Sequence, residues 1–502
     1  MSQKVLIALD QGTTSSRTVV FDLTGSILSV AAEEFPQIYP HPGCVEHDPK
    51  QILRTQIASL QRAVRRSGVH PEDILAIGIT NQRETTLLWN RETGECVHNA
   101  IVWQCRRTAG DVEKLTESGW RDTIIQKTGL VPDAYFSGTK LSWLLRELNL
   151  REEAASGRLC FGTIDTFLAW NLCSGHPHVT DATNAGRTML FNLATQDWDE
   201  ELLHVLDIPR ACLPRVVDSS CVVGTLDPEI LGVPVPVAAM AGDQHASLFG
   251  QACFEPGMVK NTYGTGCFML MNAGGTVPRG KSGLLSTMAW RLGGQPTFAQ
   301  EGSVFMGGAT VQWLRDELQI IKTAAETEQM ASSVPDTGGV YLVPAFTGLG
   351  APWWDMYSRG TLVGMTRGTG RPQIVRAALE AIAYQSADLL DAMAADCGSR
   401  PTTLRVDGGA SANGFLMQFQ ADIMGIPVVR PRVLETTALG AALLAGLGVG
   451  VYATAEETAS MWHRDLTFEP KMTEQRRADL LGGWHRAVER SLNWARPAEA
   501  GR

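Results

Sequence analysis

Three short segments of this chain carry residue types suited to phosphate chemistry. Asp10-Gln11-Gly12-Thr13-Thr14-Ser15-Ser16-Arg17 joins a glycine, which lets backbone N–H groups approach a ligand, to several hydroxyls and an arginine that donate to phosphate oxygens. It lacks the Gly-Lys-Ser/Thr of a P-loop and is not a G-x-G-x-x-G turn; a tight hairpin with solvated hydroxyls is the ordinary alternative. Ala241-Gly242-Asp243-Gln244-His245 follows an apolar run, so the Asp243 carboxylate emerges at a strand end, where it can accept a hydroxyl proton or position a metal ion. A helix cap is the plainer reading of the same residues. Val406-Asp407-Gly408-Gly409-Ala410-Ser411-Ala412-Asn413 sets two glycines between a strand and a helix, where backbone can lie against an adenosine or simply turn.

A fourth segment, Asn81-Gln82-Arg83-Glu84-Thr85-Thr86, is strongly polar between two apolar stretches. Arg83 donates hydrogen bonds and Glu84 accepts them, which suits a neutral polyol. An internal Arg–Glu ion pair accounts for the pattern equally well. Trp103 and Phe268 are candidates for an apolar wall beside such a ligand, although most tryptophans are core.

These segments need elements to hold them. Residues 5–10 and 17–22 read as strands of an N-terminal hairpin connected by residues 11–16, and a third strand covers 27–30. Asp48 followed by Pro49 starts a helix running to about residue 66. Strands are expected at 74–79, 258–262, 267–272, 340–343 and 404–407, and helices at 373–395, 413–424 and 438–447. Such alternation implies two α/β domains, residues 1–251 and 252–502, with helices covering a central sheet in each. The hairpins around Gly12-Thr13 and Gly264-Thr265 echo one another weakly, as hairpin glycines often do.

Composition excludes several classes of partner. With 43 Lys and Arg against 53 Asp and Glu, the formal charge of -10 opposes nucleic-acid and anionic-lipid binding. Ten scattered cysteines form neither a C-x-x-C pair nor a zinc pattern, and nothing resembles a signal peptide or a membrane span, so a cytoplasmic protein without membrane insertion is expected.

Taken in order, these segments, with Val102-Trp103-Gln104-Cys105-Arg106-Arg107, resemble the FGGY family of carbohydrate kinases over nearly the whole chain. Tyr135-Phe136-Ser137-Gly138-Thr139-Lys140-Leu141-Ser142-Trp143 is similar to one family signature, and residues 360–364 with 377–380 to a second. The resemblance implies two actin-like (ribonuclease H-like) ATPase domains facing each other across a deep catalytic cleft. It also implies transfer of the ATP γ-phosphoryl group to glycerol, giving sn-glycerol 3-phosphate. On that resemblance Asp243 is the general base; Arg83, Glu84, Tyr135, Asp243 and Gln244 hold the hydroxyls, with Trp103 and Phe268 against the carbons. Thr13, Thr14, Ser15 and Arg17 line the phosphate end, and Thr265, Gly308, Gln312, Gly409 and Asn413 the rest of the nucleotide site. Asp10, through water, and Asp243 lie near Mg²⁺. A homodimer or homotetramer is implied by the same analogy.

One stretch departs from the pattern. Better-known bacterial members that act on glycerol carry a glycine-rich basic loop before Gly-Asp-Gln, where a sugar bisphosphate inhibitor binds. Residues 231–237 here are Leu-Gly-Val-Pro-Val-Pro-Val, without a cation, so inhibition by fructose 1,6-bisphosphate is expected to be absent. A pentulose kinase of the same family and an actin-like nucleotide switch are the competing readings. Against the switch stand the Arg83-Glu84 segment and the lack of a peptide-binding domain after Arg502.

Overall fold

The computed structural model describes residues 3–496; the last six residues of the expected second unit lie outside them. The first sheet is built from β1 (Val5–Gln11), β2 (Ser15–Asp22), β3 (Ile27–Glu34), β4 (Ile74–Asn81), β5 (Ser220–Thr225) and β6 (Pro236–Gly242). Its order is β5-β6-β4-β1-β2-β3. The aliphatic runs of β1, β4 and β6 are buried almost throughout, as central strands covered on both faces must be.

A second sheet contains β7 (Val259–Tyr263), β8 (Cys267–Gly274), β9 (Leu285–Leu292), β10 (Gln295–Val304), β11 (Leu404–Asp407), β12 (Val428–Pro431) and β13 (Arg464–Phe468), in the order β9-β10-β8-β7-β11-β12-β13. Strand β1 pairs antiparallel with β2 and parallel with β4, which pairs parallel with β6. Strand β7 does the same with β8, β11 and β12. An antiparallel strand closes each series, β5 on β6 and β13 on β12. The faint echo between the two glycine hairpins is thus a duplication of a whole sheet.

The helices follow the sequence signals closely. Helix α1 (Pro49–Ser67) begins where the Asp48 side chain accepts the Lys50 N–H and ends at Gly68 in the left-handed region. It covers β2 and β3, while α2 (Ile164–Leu172) lies against β4 and β6. Helix α3 (Asp243–Gly250) leads out of the first half. The second half contributes α4 (Gly308–Asp316), α5 (Arg371–Cys397), α6 (Gly414–Met424) and α7 (Thr436–Gly448). Several boundaries shift by one or two residues from expectation; in the first hairpin β2 starts at Ser15, and β3 continues to Glu34. Gly12 N–H donates to the Ser15 carbonyl (2.9 Å), which tightens the connection to three residues and frees Ser15 and Ser16 for the ladder.

Helices α3 and α7 are exchanged between the halves. Helix α7, late in the chain, packs on β1, β4, β5 and β6 of the first sheet, whereas α3 packs on β7, β8 and β9 of the second. A single apolar cluster therefore joins Leu6, Ala8 and Phe21 to Phe249, Leu270, Trp290 and the alanines of α7. Glycines make this crossing possible: a Cβ on Gly440 would sit 1.8 Å from the Ala246 carbonyl oxygen, and one on Gly78 would sit 2.1 Å from that of Ala441.

Candidate active site

The polar segment between β4 and the strand Leu87–Asn90 forms the centre of the site. Arg83 and Glu84 are almost wholly buried. Glu84 holds φ at 59°, a left-handed conformation that a side-chain-bearing residue adopts only when its surroundings enforce it. The enforcement is visible: its carbonyl accepts Ser137 Oγ (3.0 Å) and Thr86 Oγ1 (3.1 Å), and Arg187 Nε donates to its Oε1 (2.6 Å).

Arg83 is held from several sides. Its Nη1 and Nη2 donate to Glu301 Oε2 (2.6 Å) and Oε1 (3.2 Å). Its Nε lies 3.2 Å from Asp243 Oδ1 and 3.9 Å from Glu84 Oε1, and its Nη2 is 3.4 Å from the Tyr135 hydroxyl. The guanidinium also stands 5.8 Å from the centre of the Phe268 ring. Arg187 Nη2 completes the group by donating to Glu301 Oε1 (3.1 Å). Two cations and two anions are thus packed together in a dry interior. Burial pushes the Glu301 carboxyl up, but Arg187 and Arg83 overcome it and hold the group at about 2. Burial prevails at Glu84, whose pKa rises despite the same two arginines.

Asp243 opens α3 at the mouth of this group, its side chain 32% exposed while Arg83 beneath it is 2% exposed. Its carboxylate thus meets solvent, unlike its partners. Gln244, the next residue, accepts from Lys260 Nζ on β7 (2.5 Å). Burial lowers that lysine to about 8, with Asp407 and Asp243 opposing the fall. Tyr135 and Trp103 meet edge to face at 5.5 Å, and Lys140 anchors Tyr135 through its backbone carbonyl. Arg83, Glu84, Trp103, Tyr135, Asp243 and Phe268 are therefore brought into one neighbourhood, with Gln244 at its edge.

At the turn proposed from the sequence to receive phosphates, Gln82 Nε2 donates to Gln11 Oε1 (3.0 Å) and to the Gly12 carbonyl (3.1 Å), and Trp103 Nε1 reaches Thr13 Oγ1 (3.0 Å). Thr14 is exposed, and Ser15 stands at the start of β2. Arg17, opposite Asp10 in the ladder, is ion-paired with Glu435 at the start of α7. Burial lifts the Asp10 carboxyl to about 7; Arg17 pulls it back, while Glu435 and Asp243 add to the rise.

The nucleotide-site candidates gather at the equivalent end of the second sheet. Thr265 lies exposed in the β7–β8 turn, and its carbonyl accepts the N–H groups of Gly307 (2.9 Å) and Ala309 (3.0 Å). Gly308 N–H bonds to the Gly264 carbonyl (2.8 Å), so α4 starts directly on that turn, with Gln312 exposed one turn further along. Gly408, at φ 83°, lies so close to β7 that a Cβ would come within 2.6 Å of the Tyr263 carbonyl oxygen; beside it, Gly409 faces open space. Asn413 caps α6 by accepting the Leu416 N–H (2.9 Å) and also reaches Thr327 Oγ1 (3.1 Å).

Glu301, Arg187 and Lys260 form no motif in the sequence. The one available signal was a charged residue inside the strand pattern Phe298-Ala299-Gln300-Glu301-Gly302, since a charge buried in a sheet requires a partner.

Comparison with known proteins accords with this geometry. Residues 5–250 match the N-terminal domain of the FGGY family of carbohydrate kinases, and residues 259–449 match its C-terminal domain. Glycerol kinase 2 of Thermotoga maritima is 58% identical over 98% of this chain and 99% of its own length. Glycerol kinase of Symbiobacterium thermophilum is 57% identical over 99% of this chain and 100% of its own. Among solved structures, Plasmodium falciparum glycerol kinase with ADP superposes with a TM-score of 0.91 at 33% identity, covering 98% of this chain and 99% of that one. The two actin-like domains expected from the motifs are the two matched sheets with their exchanged helices, and the chain belongs to the FGGY family of carbohydrate kinases.

Proposed function

We propose that this protein phosphorylates glycerol at the expense of ATP, yielding sn-glycerol 3-phosphate and ADP. The observation that carries the reading is the placement of Asp243. Its half-open carboxylate stands 3.2 Å from a buried arginine that belongs to the polyol-type pair Arg83–Glu84, with Trp103 and Tyr135 alongside. The near-complete relatives named glycerol kinase, and the ADP-bound Plasmodium structure, support the same substrate pair.

In this reading Arg83, Glu84, Tyr135 and Gln244 orient the hydroxyls, and Trp103 and Phe268 face the carbons. Asp243 accepts the proton of the attacking hydroxyl late, as the loose transition state of phosphoryl transfer allows. Thr13, Thr14, Ser15 and Arg17 receive the phosphates, while Thr265, Gly308, Gln312, Gly409 and Asn413 take the rest of the nucleotide. The two domains exclude water from the transferred group.

Mg²⁺ fits this arrangement. Among the described residues no cluster of three or more His, Cys, Asp or Glu side chains could hold a metal ion, as suits an ion that arrives with nucleotide phosphates and takes one or two carboxylates. Asp10, whose carboxyl is raised in part by the charge of Asp243, and Asp243 are the residues that would hold it, Asp10 through water; its chemistry there would be neutralisation of phosphate charge.

No helix among the described residues is long and apolar enough to cross a membrane. The reading is that of a cytoplasmic homodimer or homotetramer without nucleic-acid or membrane partners. ADP release measured across a panel of glycerol, xylulose, ribulose and other polyols tests it: glycerol gives the highest kcat/KM. Preference for a pentulose, or turnover indifferent to every polyol, overturns it.

A further inference from the structure

Glu301 belongs to β10 of the second sheet, yet it faces Arg83 and Arg187 of the first half. Its strand pair is sewn into that half. Ser286 N–H donates to the Gly129 carbonyl (2.9 Å), Ser219 N–H to the Arg291 carbonyl (2.9 Å), and Arg291 Nε to Asp218 Oδ1 (2.7 Å). A Cβ on Gly129 would meet the Ser286 carbonyl oxygen at 2.4 Å, so the two backbones lie in direct contact.

Three carboxylates surround the Arg83 guanidinium, and they are not equivalent. Glu301 is fully buried and engages both terminal nitrogens; Asp243 is partly solvated and meets Nε alone. In a dry environment the forked pair is the stronger, because neither partner is screened by water. With Glu301 neutralised, the same guanidinium would turn toward Asp243 and Glu84, which already lie 3.2 and 3.9 Å from its Nε.

We infer that Glu301 is a positioning residue for the polyol site: it fixes the aim of Arg83 from the opposite domain and keeps its two terminal nitrogens from turning onto Asp243, which meets Nε alone. Arg187 shares the task, since it bridges Glu301 and Glu84 and thereby fixes the second member of the polyol pair. The inference rests on the glycerol reading above and adds to it a part that reaches no ligand itself.

The test uses the full chain and an ADP-release assay in which glycerol and ATP are varied separately. Glycerol-dependent ADP release by the wild type establishes the underlying reading; its absence would remove that reading before any variant is considered. Glu301→Gln, which keeps size and shape, is expected to raise the glycerol KM at least tenfold and lower kcat about tenfold, with the ATP KM within twofold of wild type. Glu301→Asp, which keeps the charge and withdraws it by one methylene, is expected to fall between and carries the test should the glutamine variant not fold. Arg187→Lys is expected to raise the glycerol KM by a smaller factor, again without effect on ATP. A glycerol KM within twofold of wild type in both Glu301 variants overturns the inference, as does a parallel rise for glycerol and ATP.

Discussion

Trp103 Nε1 donates to Thr13 Oγ1 across 3.0 Å, so the indole proposed to face the polyol carbons and the turn proposed to receive the phosphates form one hydrogen-bonded unit. Removing the indole N–H while keeping an aromatic wall isolates that bond. Trp103→Phe is expected to lower kcat/KM for glycerol about fivefold, the worth of roughly 1 kcal/mol for a net hydrogen bond. Thr13→Val is expected to do the same, and the double variant to cost less than the sum, as a double-mutant cycle on kcat/KM reads directly.

On the reading that Asp243 accepts the hydroxyl proton, replacing it by Asn removes that acceptor and leaves Glu301 holding Arg83. A drop in kcat on the order of 10²- to 10⁴-fold is expected, with glycerol binding measured by calorimetry largely retained. Turnover near wild type would refute the assignment of Asp243.

His47 links pH to stability behind the turn at Gly12. Its Nε2 meets Gln37 Oε1 (2.7 Å), an acceptor for one ring N–H, and its Nδ1 lies 3.4 Å from Gln82 Nε2, which leaves a second ring proton without an acceptor there and suits the neutral ring. Burial lowers its pKa to about 4 from 6.5. Between those values the unfolded chain takes up a proton that the folded one refuses. The stability is therefore complete above about pH 6.5 and declines as pH falls toward 4, by up to about 3 kcal/mol. His178, lowered to about 4 by burial, acts in the same window. Asp10, raised to about 7 by burial, acts in the opposite sense over the same range, so the His47 contribution is read by difference: between pH 7.5 and 4 the thermal unfolding midpoint of the wild type should fall relative to that of His47→Gln.

At the helix exchange, Gly440→Ala would force a methyl group into the Ala246 carbonyl, a backbone atom that cannot swing aside. A loss of about 3 kcal/mol or more is expected, seen as a lower melting temperature. A Cβ on Gly482, in the helix Glu474–Ser491, would have nothing within 4 Å. Gly482→Ala should therefore stabilise by about 0.5–1 kcal/mol, because alanine loses less chain entropy on folding.

The stretch before Gly242 bears on inhibition. A short helix, Pro228–Leu231, passes through Gly232 at φ 85° into β6 at Pro236, and no cation lies between residues 229 and 242. Fructose 1,6-bisphosphate at low millimolar concentration is expected to leave the initial rate unchanged; clear inhibition would contradict this.

Local signals carried much of the architecture. Aliphatic runs that stop at Gly12, Asp243 or Gly408 marked the sheet edges, and the Asp48–Pro49 cap placed α1 within a residue of its observed end. Ordered motifs named most of the side chains that meet around Arg83. The supporting charges could not be read the same way. Arg187 lies 103 residues from Glu84, and Glu301 lies 218 from Arg83, and nothing local announces either pairing. The left-handed backbone of Glu84 was equally hidden, since its cause is the surrounding hydrogen bonds and not its residue type.

The exchange of α3 and α7 also sets a schedule for synthesis. On the ribosome, the strands of the first sheet emerge long before residues 436–448, yet the face that α7 covers stays open until then. More than 180 residues of the second half must be made first, so the nascent first half carries an apolar surface that invites chaperones or non-native partners. Two fragments severed after Gln251 would each lack a helix that the other holds, and recovery of a native core would require both in the same solution.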